Sequence, residues 1–432
     1  MLFDKLQSIW GESDQTFFIS EDKKFSFSDL KNIKIEGLEN LRKGDVVTLI
    51  GDFDPETIFT LLTLLEMGII VVPLTEDTDK QHSYFLSESK SQYVFKKNKL
   101  VRVISQTQFS HDLFDLLRKK NHPGLILFTT GTTGNPKAIL HDFIPFFNRY
   151  QTPRPSLKAL SFLLFDHIGG LNTLFHILFN KGTVVSIKER SVEKVFDICK
   201  KYSIELLPTT PTFLRLITLL PNLENVFPKC IRIISYGTER LDEPILNILC
   251  KKLPNVDFRQ TYGMSELGIL RVKSFSRESL YMKIGGEGVE TKVVDNLLYI
   301  KAKNRMLGYL NASFPFDNEG WYCTKDIVDM KDNKFLRITG RDSDVINVGG
   351  LKFMPSEIEK VCLNFPGIKY AKAYGKENPI TGQHVELIVE ESKTTVNKIL
   401  FSKFLKENLL KHMRPLKITY QSLKISHRFK KI

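Results

Sequence analysis

LFTTGTTGNPKAILHD, residues 127–142, decides how the rest of the chain is read. The apolar run LILF (125–128) has the character of a buried strand. It leads directly into a loop with four threonines, two glycines and one lysine between positions 129 and 137. Small residues offering free N–H groups and hydroxyls make a concavity that wraps phosphate oxygens, and Lys137 at the far end adds a mobile positive charge. A Walker A loop requires GxxxxGK[ST] opening at once into a helix. Here Gly131 and Gly134 stand too close together, and Pro136 precedes the lysine. A surface Thr/Gly turn is the plain alternative, but so many donors after a buried strand point to an anionic ligand.

Outward from this stretch, strand-like runs alternate with helical patterns. VVTLI (46–50) precedes PETIFTLLTLLEM, and IIVVPL (69–74) precedes another helical segment. TVVSI (183–187) precedes SVEKVFDICKKY, and CIRIISYG (230–237) precedes EPILNILCKKL. Such alternation predicts an α/β fold with a largely parallel sheet. The longest apolar run, TIFTLLTLLEMGIIVVPL (57–74), carries Glu66 and Gly68. It therefore reads as a buried helix ending at Gly68 and then a strand, not as a membrane span.

After about residue 285 the pattern changes to short alternating strands, LLYIKAKN, WYCTKDIVDM and KFLRITG. The polar segment GRDSD (340–344) follows, and then a compact unit: DVINVGG, the helix PSEIEKVCLNF, the strands KYAKAYG and HVELIVEE, and the helix VNKILFSKFLKENLLKHM. The expected organisation is a large N-terminal domain, 1–340, of mixed and parallel sheets with helices plus a β-rich subdomain. A hinge at 341–344 and a small mobile C-terminal α+β domain at 345–432 complete it.

Of 432 residues, 42% are apolar and 26% charged, which excludes disorder, collagen and coiled coil as the main architecture. The net charge is +13, and the last 32 residues hold nine Lys/Arg against Glu407 alone, or +8 of it. That excess favours anionic partners. Aromatic residues are too sparse in residues 415–432, with only Tyr420 and Phe429, for this stretch to read as a nucleic-acid module. Five scattered cysteines (199, 230, 250, 323, 362) form no CxxC pair, against both a zinc site and a disulfide framework. The N-terminus, MLFDKLQSIW, lacks the apolar core of a signal peptide, so a cytoplasmic location is expected.

The loop at 129–137 resembles the phosphate-binding loop of the adenylate-forming superfamily, the acyl-CoA synthetases and AMP-dependent synthetases and ligases. Further segments resemble that family in order: FDHIGGLNTLF (165–175), SYGTERL (235–241), QTYGMSELG (260–268), WYCTKD (321–326) and ITGRDSDVINVGGLKFMPSEIE (338–359). The compact size resembles the family's small bacterial members. The resemblance implies an enzyme that joins a carboxylic acid to the α-phosphate of ATP, releases pyrophosphate, and passes the acyl group to a thiol. CoA and the phosphopantetheine of an acyl carrier protein present the same arm, so the acceptor stays open.

The same resemblance assigns roles. Thr129, Thr130, Gly131, Thr132, Thr133, Gly134 and Lys137 would hold the phosphates, and Glu266 would bind Mg²⁺. Tyr262 would pack on adenine, with Gly237 and Thr238 on the other face and Thr261 and Gly263 beside it. Asp326 would accept the ribose hydroxyls, with Arg341 near ribose or phosphate. His167, Asp166 and Gly169 would line the acid pocket. Ser343 falls at the hinge, where the family carries a charged residue. Gly349 and Gly350 would flank the thiol tunnel. Lys430, in a degraded form of the family's C-terminal lysine motif, would be catalytic with Lys137 and Thr132. The reaction brings two anions together, which at ~4 Å and an effective dielectric near 20 costs about 4 kcal/mol per pair of unit charges. Positive charge and alignment are therefore what such a site must supply. Asp166 also leaves open an amino acid loaded onto a carrier protein, and the degraded tail leaves open nucleotide binding without turnover.

Overall fold

The computed structural model describes residues 2–11, 13–103, 111–129, 135–150, 152–286, 288–392 and 396–422. Two seven-stranded sheets dominate it. In one, the strands Gly124–Phe128, Ile70–Leu74, Val46–Ile50 and Tyr93–Lys96 lie side by side and parallel. Antiparallel strands close its edges: Ala138–Asp142 and Gly308–Tyr309 on one side, Lys99–Arg102 on the other. In the second, Asp257–Gln260, Ile233–Tyr236, Leu206–Thr209, Lys158–Leu160, Thr183–Val185 and Thr16–Ser20 run parallel, and Lys23–Ser26 closes the edge antiparallel. The inner strands Val46–Ile50, Ile70–Leu74 and Gly124–Phe128 are buried at every position. That explains their unbroken apolar sequence, since helices cover both faces of a parallel sheet. One core cluster joins residues of both sheets, such as Val47, Leu125, Phe18 and Val184, through the helices Pro55–Glu66 and Ile168–Leu178.

The apolar run at 57–74 divides as a helix and a strand, with a sharper boundary than its sequence suggests. The helix begins after Asp54, whose side chain accepts from Thr57 N, has Pro55 in its first turn, and ends at Glu66 rather than Gly68. Gly68 takes φ +79 in the turn to the strand. Glu66 is not a solvent-facing break. Its carboxylate accepts from Leu2 N at 2.8 Å and Phe3 N at 3.2 Å, and so caps the helix Leu2–Trp10. No helix among the described residues is long and apolar enough to cross a membrane.

The β-rich region is a six-stranded antiparallel sheet in the order Val272–Ser274, Met282–Ile284, Phe335–Arg341, Tyr322–Lys331, Leu297–Ala302 and Val289–Val294. A hairpin of Tyr262–Met264 and Gly268–Leu270 lies against it through a shared core that includes Leu267, Leu298 and Ile300. After the single 3-10 turn Asp342–Asp344, a five-stranded sheet and the helices Pro355–Leu363 and Lys398–Asn408 enclose a separate core drawn from residues 346–413. The expected last helix stops early, at Asn408. Leu409 is extended, and Arg414 donates to the carbonyls of Leu409 and Lys406, which fixes the end of the helix there.

Candidate active site

The loops that matter leave the carboxyl ends of parallel strands, where open α/β sheets bind their ligands. Gly124–Phe128 runs into Thr129. The loop that follows is pinned at its neck: Thr129 N donates to Lys137 O at 3.1 Å, and Lys137 N donates to Thr129 Oγ1 at 3.0 Å. Asn311 braces the same neck, its Nδ2 donating to Pro136 O at 3.2 Å and its Oδ1 accepting from Ala138 N at 2.9 Å. Thr130, Gly131, Thr132, Thr133 and Gly134, between those anchors, lie outside the described residues, as does Lys430. Lys137 Nζ sits 4.8 Å from the centre of the Tyr309 ring.

That tyrosine leads to Glu266. The Tyr309 hydroxyl donates to Glu266 Oε1 at 2.8 Å, and the carboxylate is buried at the tip of its hairpin. The hairpin tip is itself fixed. Buried His141 contacts Ser265 O through Nε2 at 2.6 Å, and Met306 N donates to Glu266 O at 2.8 Å. A carbonyl only accepts, so His141 carries its proton on Nε2. Burial lowers the His141 pKa to about 4, so the ring is neutral at physiological pH. Tyr322 lies between this group and the next. Burial pushes its phenol up and the Glu266 charge adds to that, while the Tyr309 hydroxyl and Arg341 act in the opposite sense.

The next group is built on the antiparallel strands Tyr322–Lys331 and Phe335–Arg341, which place Asp326 opposite Arg341. Arg341 Nε donates to Asp326 Oδ1 at 3.1 Å, and the Tyr262 hydroxyl donates to Asp326 Oδ2 at 2.5 Å. Burial pushes the Asp326 carboxyl up against the pull of Arg341 and Tyr262. Tyr262 is raised well above its ordinary value, first by burial and then by Asp326. The pairing modifies the role assigned to Asp326. Each oxygen already has one donor, and since a carboxylate offers about four lone-pair sites, two remain for a diol.

Gly237 and Thr261 face each other so closely that a Cβ on Gly237 would lie 2.2 Å from Thr261 Oγ1. Only glycine fits there. Thr238, next in the chain, is β-branched yet takes φ +73, a strained conformation of the kind that gathers at functional loops. A Cβ on Gly263 would meet Gly268 O at 2.6 Å. Thr238, Thr261, Tyr262, Gly263, Asp326, Arg341 and Ser343 line one cleft of about 610 Å³, closed on the far side by Met354, Glu359, Lys372 and Tyr374. The two sides touch where Ser356 Oγ donates to Thr339 O at 3.3 Å and where Arg240 approaches Glu359 at 4.0 Å.

Other expected site residues stand apart from this cleft. His167 caps the helix Ile168–Leu178, its Nδ1 accepting from Gly169 N at 3.0 Å. Gly169 packs where a Cβ would lie 2.8 Å from the Leu163 side chain. Asp166 is buried, and its charge, with those of Asp52 and Asp77, holds up the pKa of Arg190 against the burial that lowers it. Gly349 and Gly350 form the turn between Ile346–Val348 and Leu351–Phe353, at φ +60 and +86 with open space where each Cβ would be. The positive φ angles of the turn themselves favour glycine at both positions. Ser343, by contrast, lines the cleft from the turn Asp342–Asp344, its hydroxyl donating to Asp344 Oδ1 at 3.1 Å.

Tyr309, His141 and Asn311 were not expected from the sequence. Each acts on a segment distant in the chain, and no local pattern marks such a partner.

A family model described as "AMP-binding enzyme" matches residues 11–310. Among curated proteins, the chain is similar to a 2-succinylbenzoate–CoA ligase of Bacillus pumilus, at 26% identity over 89% of this chain and 87% of that one. It is also similar to a 4-coumarate–CoA ligase-like protein of Arabidopsis thaliana, at 25% identity over 83% of this chain and 74% of that one. Among solved structures, o-succinylbenzoate coenzyme A synthetase from Bacillus subtilis, in complex with ATP and magnesium ion, superposes with a TM-score of 0.79 at 22% identity, over 99% of this chain and 97% of that one. With a match over most of its length and a nucleotide-sized cleft at the strand ends, this chain belongs to the AMP-binding enzyme family.

Proposed function

We propose that the protein is an AMP-forming acid–thiol ligase. It activates a carboxylic acid with ATP as an acyl-adenylate, releases pyrophosphate, and transfers the acyl group to the thiol of CoA. One observation carries this reading. A carboxylate held by neutral phenols, Glu266, and a carboxylate paired with arginine, Asp326, stand on either side of Tyr322, and Lys137 lies next to the first across the Tyr309 ring.

In this reading the loop and Lys137 receive the β- and γ-phosphates. The donor set fits Mg²⁺, which takes one or two carboxylates and fills its remaining positions with water and substrate phosphate oxygens. Glu266 supplies such a carboxylate, and among the described residues no group of three His, Cys, Asp or Glu forms a protein cage for a metal. Bound there, the ion would screen the phosphate charge that opposes attack by the acid. Asp326 takes the ribose hydroxyls on its two open lone-pair sites. Arg341 keeps that carboxylate ionised, and Tyr262 borders the base. Thr132 and Lys430 complete the set as contacts to the reacting phosphate and acid. The turn Asp342–Asp344 is the hinge on which the unit 345–432 changes its face toward the cleft between the two half-reactions.

The acid is an acyl or aryl acid rather than an amino acid. An ammonium would draw on the charge of Asp166, which also acts on nearby Arg190 together with those of Asp52 and Asp77. The five cysteines are free thiols, which suits the reducing cytoplasm. The test is ATP–pyrophosphate exchange with a panel of fatty, aromatic and amino acids, followed by CoA or a holo-carrier protein as acceptor. Exchange with an acyl or aryl acid and thioester formation on CoA are expected. Exchange with amino acids alone, or turnover only with the carrier, would move the protein to the other branch.

A further inference from the structure

Tyr309 touches both groups on which the nucleotide reading depends. Its hydroxyl donates to Glu266 Oε1 at 2.8 Å, and its ring lies 4.8 Å from Lys137 Nζ. The residue is buried and its backbone is fixed. Gly308–Tyr309 pairs antiparallel with Ala138–Asp142, placing Tyr309 opposite Ile139, and Leu310 N donates to Ala138 O at 2.9 Å. Two residues along, Asn311 braces the neck of the phosphate loop. One short strand therefore anchors the base of the loop, the lysine at its end and the carboxylate across from it.

We propose that Tyr309 is a positioning residue that sets Lys137 and Glu266 at a fixed separation before the nucleotide arrives. The inference rests on the nucleotide reading above and adds a division of labour within it. The hydroxyl orients the carboxylate for the metal, and the ring face holds the lysine for the phosphates. An ionised carboxylate only accepts, so the proton of this contact lies on the Tyr309 oxygen. Holding a carboxylate with a neutral donor leaves its negative charge for a cation, whereas an arginine in the same place would compete with the metal.

Two substitutions separate the two contacts. Tyr309→Phe removes the hydroxyl and keeps the ring; Tyr309→Leu removes both. ATP binding to the full chain is measured by calorimetry in EDTA and again in Mg²⁺, with thermal unfolding as a check on folding. Tyr309→Phe should bind ATP in EDTA as wild type does, while the strengthening by Mg²⁺ shrinks about tenfold, as expected for a lost hydrogen bond to a charged group. Tyr309→Leu should in addition lose about threefold in EDTA, the scale of a cation–π contact. The near-isosteric Phe variant carries the test if the Leu variant fails to fold. A full Mg²⁺ response in Tyr309→Phe, or an equal loss of metal-free binding in both variants, overturns the inference. Wild-type protein that binds no ATP at all overturns the nucleotide reading itself, and this inference with it.

Discussion

Glu266 and Asp326 are both buried, and a phenol hydroxyl donates to each, yet they are charged in different ways. Among the described residues Glu266 accepts from phenols, Tyr309 at 2.8 Å with Tyr322 also close by, and has no ion pair. Asp326 has Tyr262 and also Arg341. A buried carboxylate without a counter-charge is costly to keep ionised. One with a guanidinium beside it already has its charge balanced. In the proposed reading this difference would sort the two by function, with Glu266 receiving a cation and Asp326 accepting from neutral hydroxyls. The same kind of residue would then perform two tasks, set by one neighbour.

Substitutions that remove charge and keep shape probe this contrast most strongly. Glu266→Gln should lower adenylate formation about a hundredfold, the scale of losing one electrostatic stabiliser at a reacting centre. The Mg²⁺ concentration for half-activation should rise with it. An unchanged metal profile would break the comparison. Asp326→Asn should weaken ATP binding about tenfold, equally with and without Mg²⁺. A metal-dependent defect there would mean that the two roles had been reversed.

Much of the fold could be read in the chain, because strand–helix alternation and buried apolar runs are local patterns. Val46–Ile50, Ile70–Leu74 and Gly124–Phe128 lie close to where their sequence puts them. The motif loops were legible for the same reason, since Thr129, Tyr262, Glu266 and Asp326 each follow or sit on a recognisable strand. What could not be read is non-local. Nothing near Gly308 and Tyr309 announces that they pair with Ala138–Asp142, and so the contacts of Tyr309 with Lys137 and Glu266 stayed hidden. Glu66 reads in sequence as an interruption of an apolar helix, but its partners are backbone groups 63 and 64 residues away. The tight turn that gives Gly349 and Gly350 their positive φ angles was likewise not read from the sequence.

Two carboxylates away from the cleft show how the comparison behaves where no ligand is involved. Glu66 serves a helix end, so Glu66→Ala should lower stability by about 1 kcal/mol in denaturant unfolding and leave ATP binding unchanged. Glu386 is held at about 2, below its ordinary 4.5, first by the Tyr374 hydroxyl and then by Lys376. A depressed folded-state pKa contributes stability that is fully present above the unfolded value and is lost as pH falls through the folded one. The difference in melting temperature between wild type and Glu386→Gln should therefore hold steady above about pH 5 and shrink toward pH 2. A difference independent of pH would show that the carboxylate acts by packing alone.

The central claim is that one nucleotide spans the two carboxylates. A crystal structure of the full chain with ATP and Mg²⁺ tests it most directly. The account predicts the triphosphate in the loop at 129–137 with Lys137, the metal on Glu266, and the ribose on Asp326. A nucleotide bound elsewhere, with Glu266 still held by its phenols and no metal beside it, would contradict it.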